Sequence, residues 1–145
     1  MLKNNIMQII KSICILIILL LINISSAKEN VPNNSFLVNN IKVIDGDTIE
    51  CDVLLPLSIT LVKQRVRLLE VDTWELRGKN KEKGKEAKKM VKCKLTNATV
   101  RIVIAHNKQR DAFGRILAIV WFFDDKWINL NDIIKNSKFE KQKRK

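Results

Sequence analysis

Between residues 36 and 123 apolar and polar side chains alternate in short runs, and turn residues interrupt the runs. That period of two predicts strands, because successive strand side chains point to opposite faces. The first run, 36–44, stops at Asp45-Gly46-Asp47, where Gly46 permits a tight turn. A second covers 48–55 and is closed by Pro56. A third covers 59–69, with Val62, Val66 and Leu68 predicted on one face and Lys63, Arg65 and Arg67 on the other. Residues 72–80 read as a loop. Over 83–95 the period changes to that of a helix, with Ala87, Met90 and Val91 as the apolar stripe. Strands four and five are predicted over 98–105 and 116–123, joined by the polar connection HNKQRDAFGR. After a turn at Asp124-Asp125-Lys126, Asn129 or Asn131 is placed to cap a short helix through Ile133 and Ile134. Three strands, a helix, two strands and a final helix suit a mainly β fold, a five-stranded barrel of the OB type.

The N-terminal pattern is of another kind. Residues 13–22 are an unbroken apolar run preceded by Lys3 and Lys11 and followed by Ser25-Ser26-Ala27. Such a segment is short against the ~20 apolar residues that span a bilayer. It predicts an export signal over 1–27, with a retained membrane anchor as the alternative. The organisation expected is then a flexible leader over 28–35, one barrel domain over 36–138 and a basic tail over 139–145. The product would be secreted or periplasmic, monomeric and without stable membrane insertion.

Charge narrows the choice of partner. The formal net charge is +12, and removing 1–27 takes away two lysines and no acid, leaving +10. An excess of that size favours a polyanionic partner, nucleic acid or an anionic membrane. Nine basic residues and two acids fall between Arg77 and Lys94, either a track for a phosphate backbone or a solvated helix face. The chain has a single His, His106, with no Cys near it, which disfavours zinc and any mechanism that needs two imidazoles. Cys51 and Cys93 could pair or remain free thiols.

Against this background the acids are out of place. Glu70, Asp72 and Glu75 crowd beside Arg67 in VRLLEVDTWE, and Asp45 and Asp47 flank Gly46. Two carboxylates ~4 Å apart repel by roughly 1–4 kcal/mol at surface-like dielectric values. A hard divalent cation removes that cost and polarises a phosphodiester oxygen, while a neighbouring carboxylate prepares water for attack. Arginines supply bidentate bonds to phosphate and stabilise the charge of a pentacoordinate state. On this logic Asp47 and Asp72 suit the metal, Glu75 the water, and Arg67 and Arg115 the phosphate.

The motifs VIDGDTI, VRLLEVDTWE and RDAFGRILA resemble, in order and spacing, those of the staphylococcal nuclease family. KKMV (88–91) and WINLNDIIKNSK (127–138) are similar to its first helix and its post-barrel helix. The resemblance runs from about residue 36 to 138. It implies a Ca²⁺-dependent phosphodiesterase acting on DNA and RNA and leaving 3′-phosphate and 5′-hydroxyl ends. It further implies that Asp47 and Asp72 bind the metal and that Thr73 gives it a backbone carbonyl. Glu75 would activate water, Arg67 would bind phosphate, and Arg115 would act near the leaving 5′-oxygen. Asp45 is expected to fix its turn, and Glu70 falls outside the site. Trp74 stands where the best-known members have Pro, and the chain has no Tyr, so Phe113 is the flat side chain left near the nucleotide. The rival expectations are a nucleic-acid-binding module on the same barrel without catalysis, and a membrane-surface protein, which would explain the lysines but not the acids.

Overall fold

A computed structural model describes residues 31–141 together with Ile13; the export segment predicted over 1–27 is otherwise outside the described residues, as are 28–30 and 142–145. Six strands and two helices follow in order. They are β1 (Phe36–Val43), β2 (Thr48–Leu54), β3 (Thr60–Leu68), α1 (Lys81–Leu95), β4 (Val100–Ile104), β5 (Ile116–Asp124), β6 (Lys126–Asn129) and α2 (Leu130–Lys135). The sheet order is β3-β2-β1-β4-β5-β6, and a further pairing of β3 with β5 closes the first five into a barrel. This is the expected mainly β, OB-type fold with a helix between strands three and four. None of the helices among the described residues is long and apolar enough to cross a membrane.

Closure decides where the chemistry falls. β3 and β5 run parallel, with Val66 opposite Ile116, Arg67 opposite Leu117 and Leu68 opposite Ala118. On its other side Arg67 pairs with Thr48 at the start of β2. Three segments distant in sequence, around Asp47, Arg67 and Arg115, therefore meet at one end of the barrel. Inside, Ile49, Val53, Val66, Leu68, Ile102, Val120 and Phe122 are fully buried and form one cluster with Leu130 and Ile134 of α2. Asn131 is buried too, and it does not cap the helix; Asn129 does, its side chain accepting the Asp132 N–H. The Asn131 carboxamide accepts the Val120 N–H at 2.9 Å and donates to the Leu69 and Ala118 carbonyls at 3.0 and 3.3 Å. It thereby ties α2 to the seam where β3 meets β5, where the Ala118 carbonyl also accepts the Leu69 N–H at 2.8 Å.

The alternation expected for β3 breaks at Lys63, whose φ of 50° marks a bulge opposite a register shift in β2. Val66 and Leu68 are buried as expected, but Val62 faces out at 62% exposure. One extra residue reverses the faces of everything before it. Asp52 supports the bulge: its carboxylate accepts the Lys63 N–H at 2.7 Å and the Asn40 amide at 2.7 Å. Those two bonds, Asn40 first, hold the Asp52 carboxyl below its ordinary pKa. The short strand β6 is a second departure, since the predicted turn at Asp125 reverses the chain into a hairpin with β5. At its described end the segment before β1 is held down: Arg101 donates to the Ser35 hydroxyl and carbonyl, and Val31 is buried. Cys51 is buried and Cys93 exposed, both as free thiols.

Candidate active site

The first acidic turn is built around its glycine. Asp45 accepts the Asp47 N–H on its carboxylate at 3.1 Å, an Asx turn that fixes the approach to β2. A Cβ on Gly46 would lie 2.6 Å from Thr73 Oγ1 and 2.7 Å from the Ala87 methyl, so only glycine lets the turn pack between them. Asp47 is buried beneath that packing. Its Oδ2 accepts from the Thr73 N–H at 2.8 Å and the Thr73 hydroxyl at 3.0 Å, and its Oδ1 from the Thr48 hydroxyl at 3.1 Å. Oδ1 also forms an ion pair with Arg67 Nη1. A carboxylate this deep needs such partners, since a buried unpaired charge would neutralise itself.

The second acidic loop leans on the same helix. Gly84 of α1 is buried, and a Cβ there would collide with the backbone carbonyls of Trp74 and Glu75. Helix α1 therefore braces both loops, through Ala87 against Gly46 and through Gly84 against residues 74–75. Asp72 and Glu75 project outward, with side chains 54% and 75% exposed. Arg67 Nη2 reaches Asp72 Oδ1 at 3.4 Å, so one guanidinium joins the buried Asp47 to the exposed Asp72. Trp74 is half-buried with the Lys83 ammonium 4.9 Å from its ring centre. Glu70 is turned away and pairs with Lys135 at 2.9 Å.

Arg115 enters from the connection before β5. Its Nη1 lies 3.5 Å from the Thr48 hydroxyl, and its Nε donates to Asp111 Oδ2 at 2.7 Å. Asp111 Oδ1 takes the Phe113 and Arg115 backbone N–H groups, both at 2.9 Å. Burial pushes the Asp111 carboxyl's pKa up, but these bonds outweigh it and hold the group below its usual range. Asp111 thus fixes the direction of Arg115, a role that motif reading did not assign. The available signal was the Asp four residues before Arg across a Gly, a turn that folds the carboxylate back onto the guanidinium. Phe113 is 84% exposed, with the Arg115 guanidinium 5.4 Å from its ring centre.

Lys141 was likewise not foreseen. The start of the basic tail expected over 139–145 pairs with the acidic loop through a bridge between Thr73 and Glu140. The Lys141 N–H donates to the Asp72 carbonyl at 2.7 Å, and the Asp72 N–H donates to the Glu140 carboxylate at 3.2 Å. Lys141 Nζ then sits 3.2 Å from both Asp72 Oδ1 and Glu75 Oε1. Burial acts to lower the pKa of this ammonium, and its bonds to Glu75 and Asp72 reverse that and raise it. A continuous polar string results: Arg115, Thr48, Asp47, Arg67, Asp72, Lys141, Glu75.

All five charged residues predicted for the site lie on this string, and Thr73 lies beside it. Among the described residues no three His, Cys, Asp or Glu side chains form a ready-made metal cluster. The donor chemistry nevertheless fits a hard divalent cation. Asp47 and Asp72 converge on one positive group, Asp72 and Glu75 on another, and all the acceptors are oxygens. In comparisons with known proteins, residues 65–136 match the family model described as staphylococcal nuclease homologue. No curated protein sequence matches the chain.

Proposed function

From a chain that belongs to the staphylococcal nuclease homologue family, we propose a Ca²⁺-dependent phosphodiesterase that hydrolyses DNA and RNA. The observation that supports this reading is the polar string, which gathers three acids and two arginines from separate segments at one end of the barrel. A barrel that only bound nucleic acid would have no use for acids between its arginines, since they repel the backbone they flank. Asp47 and Asp72, with the Thr73 carbonyl, would hold the cation, which when bound polarises a phosphodiester oxygen and balances the carboxylates.

The chain's own residues carry the rest. Arg67 and Arg115 each present guanidinium N–H groups to the phosphate oxygens and stabilise the added charge of the pentacoordinate state. Asp111 holds Arg115 by Nε, which leaves Nη2 and the second N–H of Nη1, whose other neighbour is the Thr48 hydroxyl at 3.5 Å, for the ligand. Glu75 is exposed enough to hold a water and accept its proton as the oxygen attacks phosphorus. The P–O5′ bond breaks, the 5′-oxygen takes a proton from solvent, and the products carry 3′-phosphate and 5′-hydroxyl ends. The reading includes export, with residues 1–27 as the signal, and a monomeric enzyme.

The test is nuclease rate against Ca²⁺ concentration for purified variants. Asp47→Asn and Asp72→Asn should require more Ca²⁺, with part of the lost rate recovered in excess. Arg67→Lys and Arg115→Lys should be slow at every Ca²⁺ level because they lose the bidentate fork. A folded parent that binds DNA but cleaves nothing at any Ca²⁺ level would replace this reading with the binding module.

A further inference from the structure

Between β1 and α1 runs a groove lined by Ile41, Lys42, Val43, Lys88, Lys92 and Leu95. Its floor is apolar, its walls carry three ammonium groups, and no acid lines it. Among the described residues Lys42, Lys88 and Lys92 form no ion pair, whereas the neighbouring Glu82 and Glu86 are already neutralised by Lys85 and Lys138. Lys88 is half-buried, so its stem packs along the groove while its charge reaches the opening.

Both walls lead to the acidic loops. β1 continues directly into the Asp45–Asp47 turn, and α1 is the helix that braces that turn through Ala87 and the Glu75 loop through Gly84. Gly84, Lys88 and Lys92 are spaced four apart, one stripe along the helix. At 1.5 Å per residue the two lysines lie ~6 and ~12 Å along the axis from the contact with Glu75. With phosphates spaced about 3.4 Å or more along a strand, roughly two to four fit in that span.

We propose that this groove is an extended binding track for a single nucleic-acid strand, distinct from the residues that carry the chemistry. Lys42 and Lys92 pair with backbone phosphates from opposite walls, and Lys88 does so from the middle. The apolar floor of Ile41, Val43 and Leu95 takes sugar and base surface without reading sequence. The inference rests on the nuclease reading only for the direction of the strand, which would leave the reacting phosphate along α1.

Binding is measured on the full chain by fluorescence anisotropy, with a labelled single-stranded oligothymidylate, in chelator so that no cleavage intervenes, over a range of salt. The triple variant Lys42→Gln/Lys88→Gln/Lys92→Gln should bind more weakly, and its slope of log affinity against log salt should shrink by about 2, near 0.7 per lost phosphate contact. The charge-matched variant Lys63→Gln/Lys108→Gln/Lys126→Gln, altered at exposed lysines elsewhere, should keep the parental slope. Equal slopes for the two triple variants would overturn the track and leave a generally basic surface. So would a groove variant that loses binding to phosphatidylserine vesicles while keeping the parental oligonucleotide slope. Because this readout needs no activity, a chain without cleavage whose slope still falls would refute the nuclease and retain the track.

Discussion

Replacing Lys141 by Gln removes a positive charge that already occupies the mouth of the acidic site. Its ammonium sits 3.2 Å from Asp72 and 3.2 Å from Glu75, and its side chain is about three-quarters buried. A divalent cation that takes Asp72 must displace the first of these pairs and weaken the second. Coulomb's law gives ~1.3 kcal/mol for each contact at the dielectric of water, before screening and side-chain entropy are subtracted. Exposed pairs measure about 0.2–1 kcal/mol, so the two together should oppose cation binding by roughly 0.5–2 kcal/mol. At 1.4 kcal/mol per decade, Lys141→Gln should therefore bind Ca²⁺ about 2- to 30-fold more tightly. Calorimetric titration of the full chain with Ca²⁺ measures this directly. Lys138→Gln, which loses the same charge from a pair with Glu86 on the helix surface, should change affinity less than twofold. Unchanged or weaker binding in Lys141→Gln would refute the idea that this ammonium and a metal compete for the same oxygens.

Two substitutions probe the supports of the site, and thiol labelling probes the core. Gly84→Ala adds a methyl against the Trp74 and Glu75 carbonyls; helix propensity returns ~1 kcal/mol against an overpacking cost of about 1–3 kcal/mol. Urea unfolding should show a modest loss, with a larger loss of cleavage because Glu75 moves. Asp111→Asn loosens Arg115, so cleavage should fall at unchanged Ca²⁺ affinity. Because the folded pKa of Asp111 is lowered, its contribution to stability is complete above its unfolded value and is lost as pH falls through the folded one. Acid unfolding of the parent should accordingly steepen below about pH 4 relative to Asp111→Asn. The Cys51 thiol is pushed up to about 12, by burial first and then by Asp52 and Glu50. Peptide mapping after thiol labelling should find Cys93 modified in the native protein and Cys51 only after denaturation.

How much was legible in the sequence follows from how local each determinant is. The strands ending at Asp45-Gly46-Asp47 and at Pro56 were readable because alternation and turn residues sit side by side. The faces of the first half of β3 were not, because the bulge at Lys63 depends on Asp52, eleven residues away. β6 was missed since a four-residue strand carries too little pattern, and nothing local chose Asn129 over Asn131 as the cap, because the partners that hold Asn131 lie across the barrel seam. The site's charged residues were legible only as motifs. What brings them together is the β3–β5 register, a long-range pairing that no local pattern reports. Lys141 lay beyond reach for the same reason: a lysine in a polar tail gives no sign that its backbone pairs with Thr73's neighbour.

The central claim is that the acids perform chemistry with Glu75 as the base, and Glu75→Gln tests it most directly. That change keeps the side chain's shape and removes its ability to accept a proton. Cleavage of plasmid DNA and of RNA by parent and variant would be timed in saturating Ca²⁺ and in chelator, with folding checked by circular dichroism. The account predicts a parent active with Ca²⁺ and silent in chelator, and a folded variant slower by roughly 10²-fold or more that excess Ca²⁺ does not rescue. A variant that cleaves at the parental rate, or a parent fully active in chelator, would contradict it.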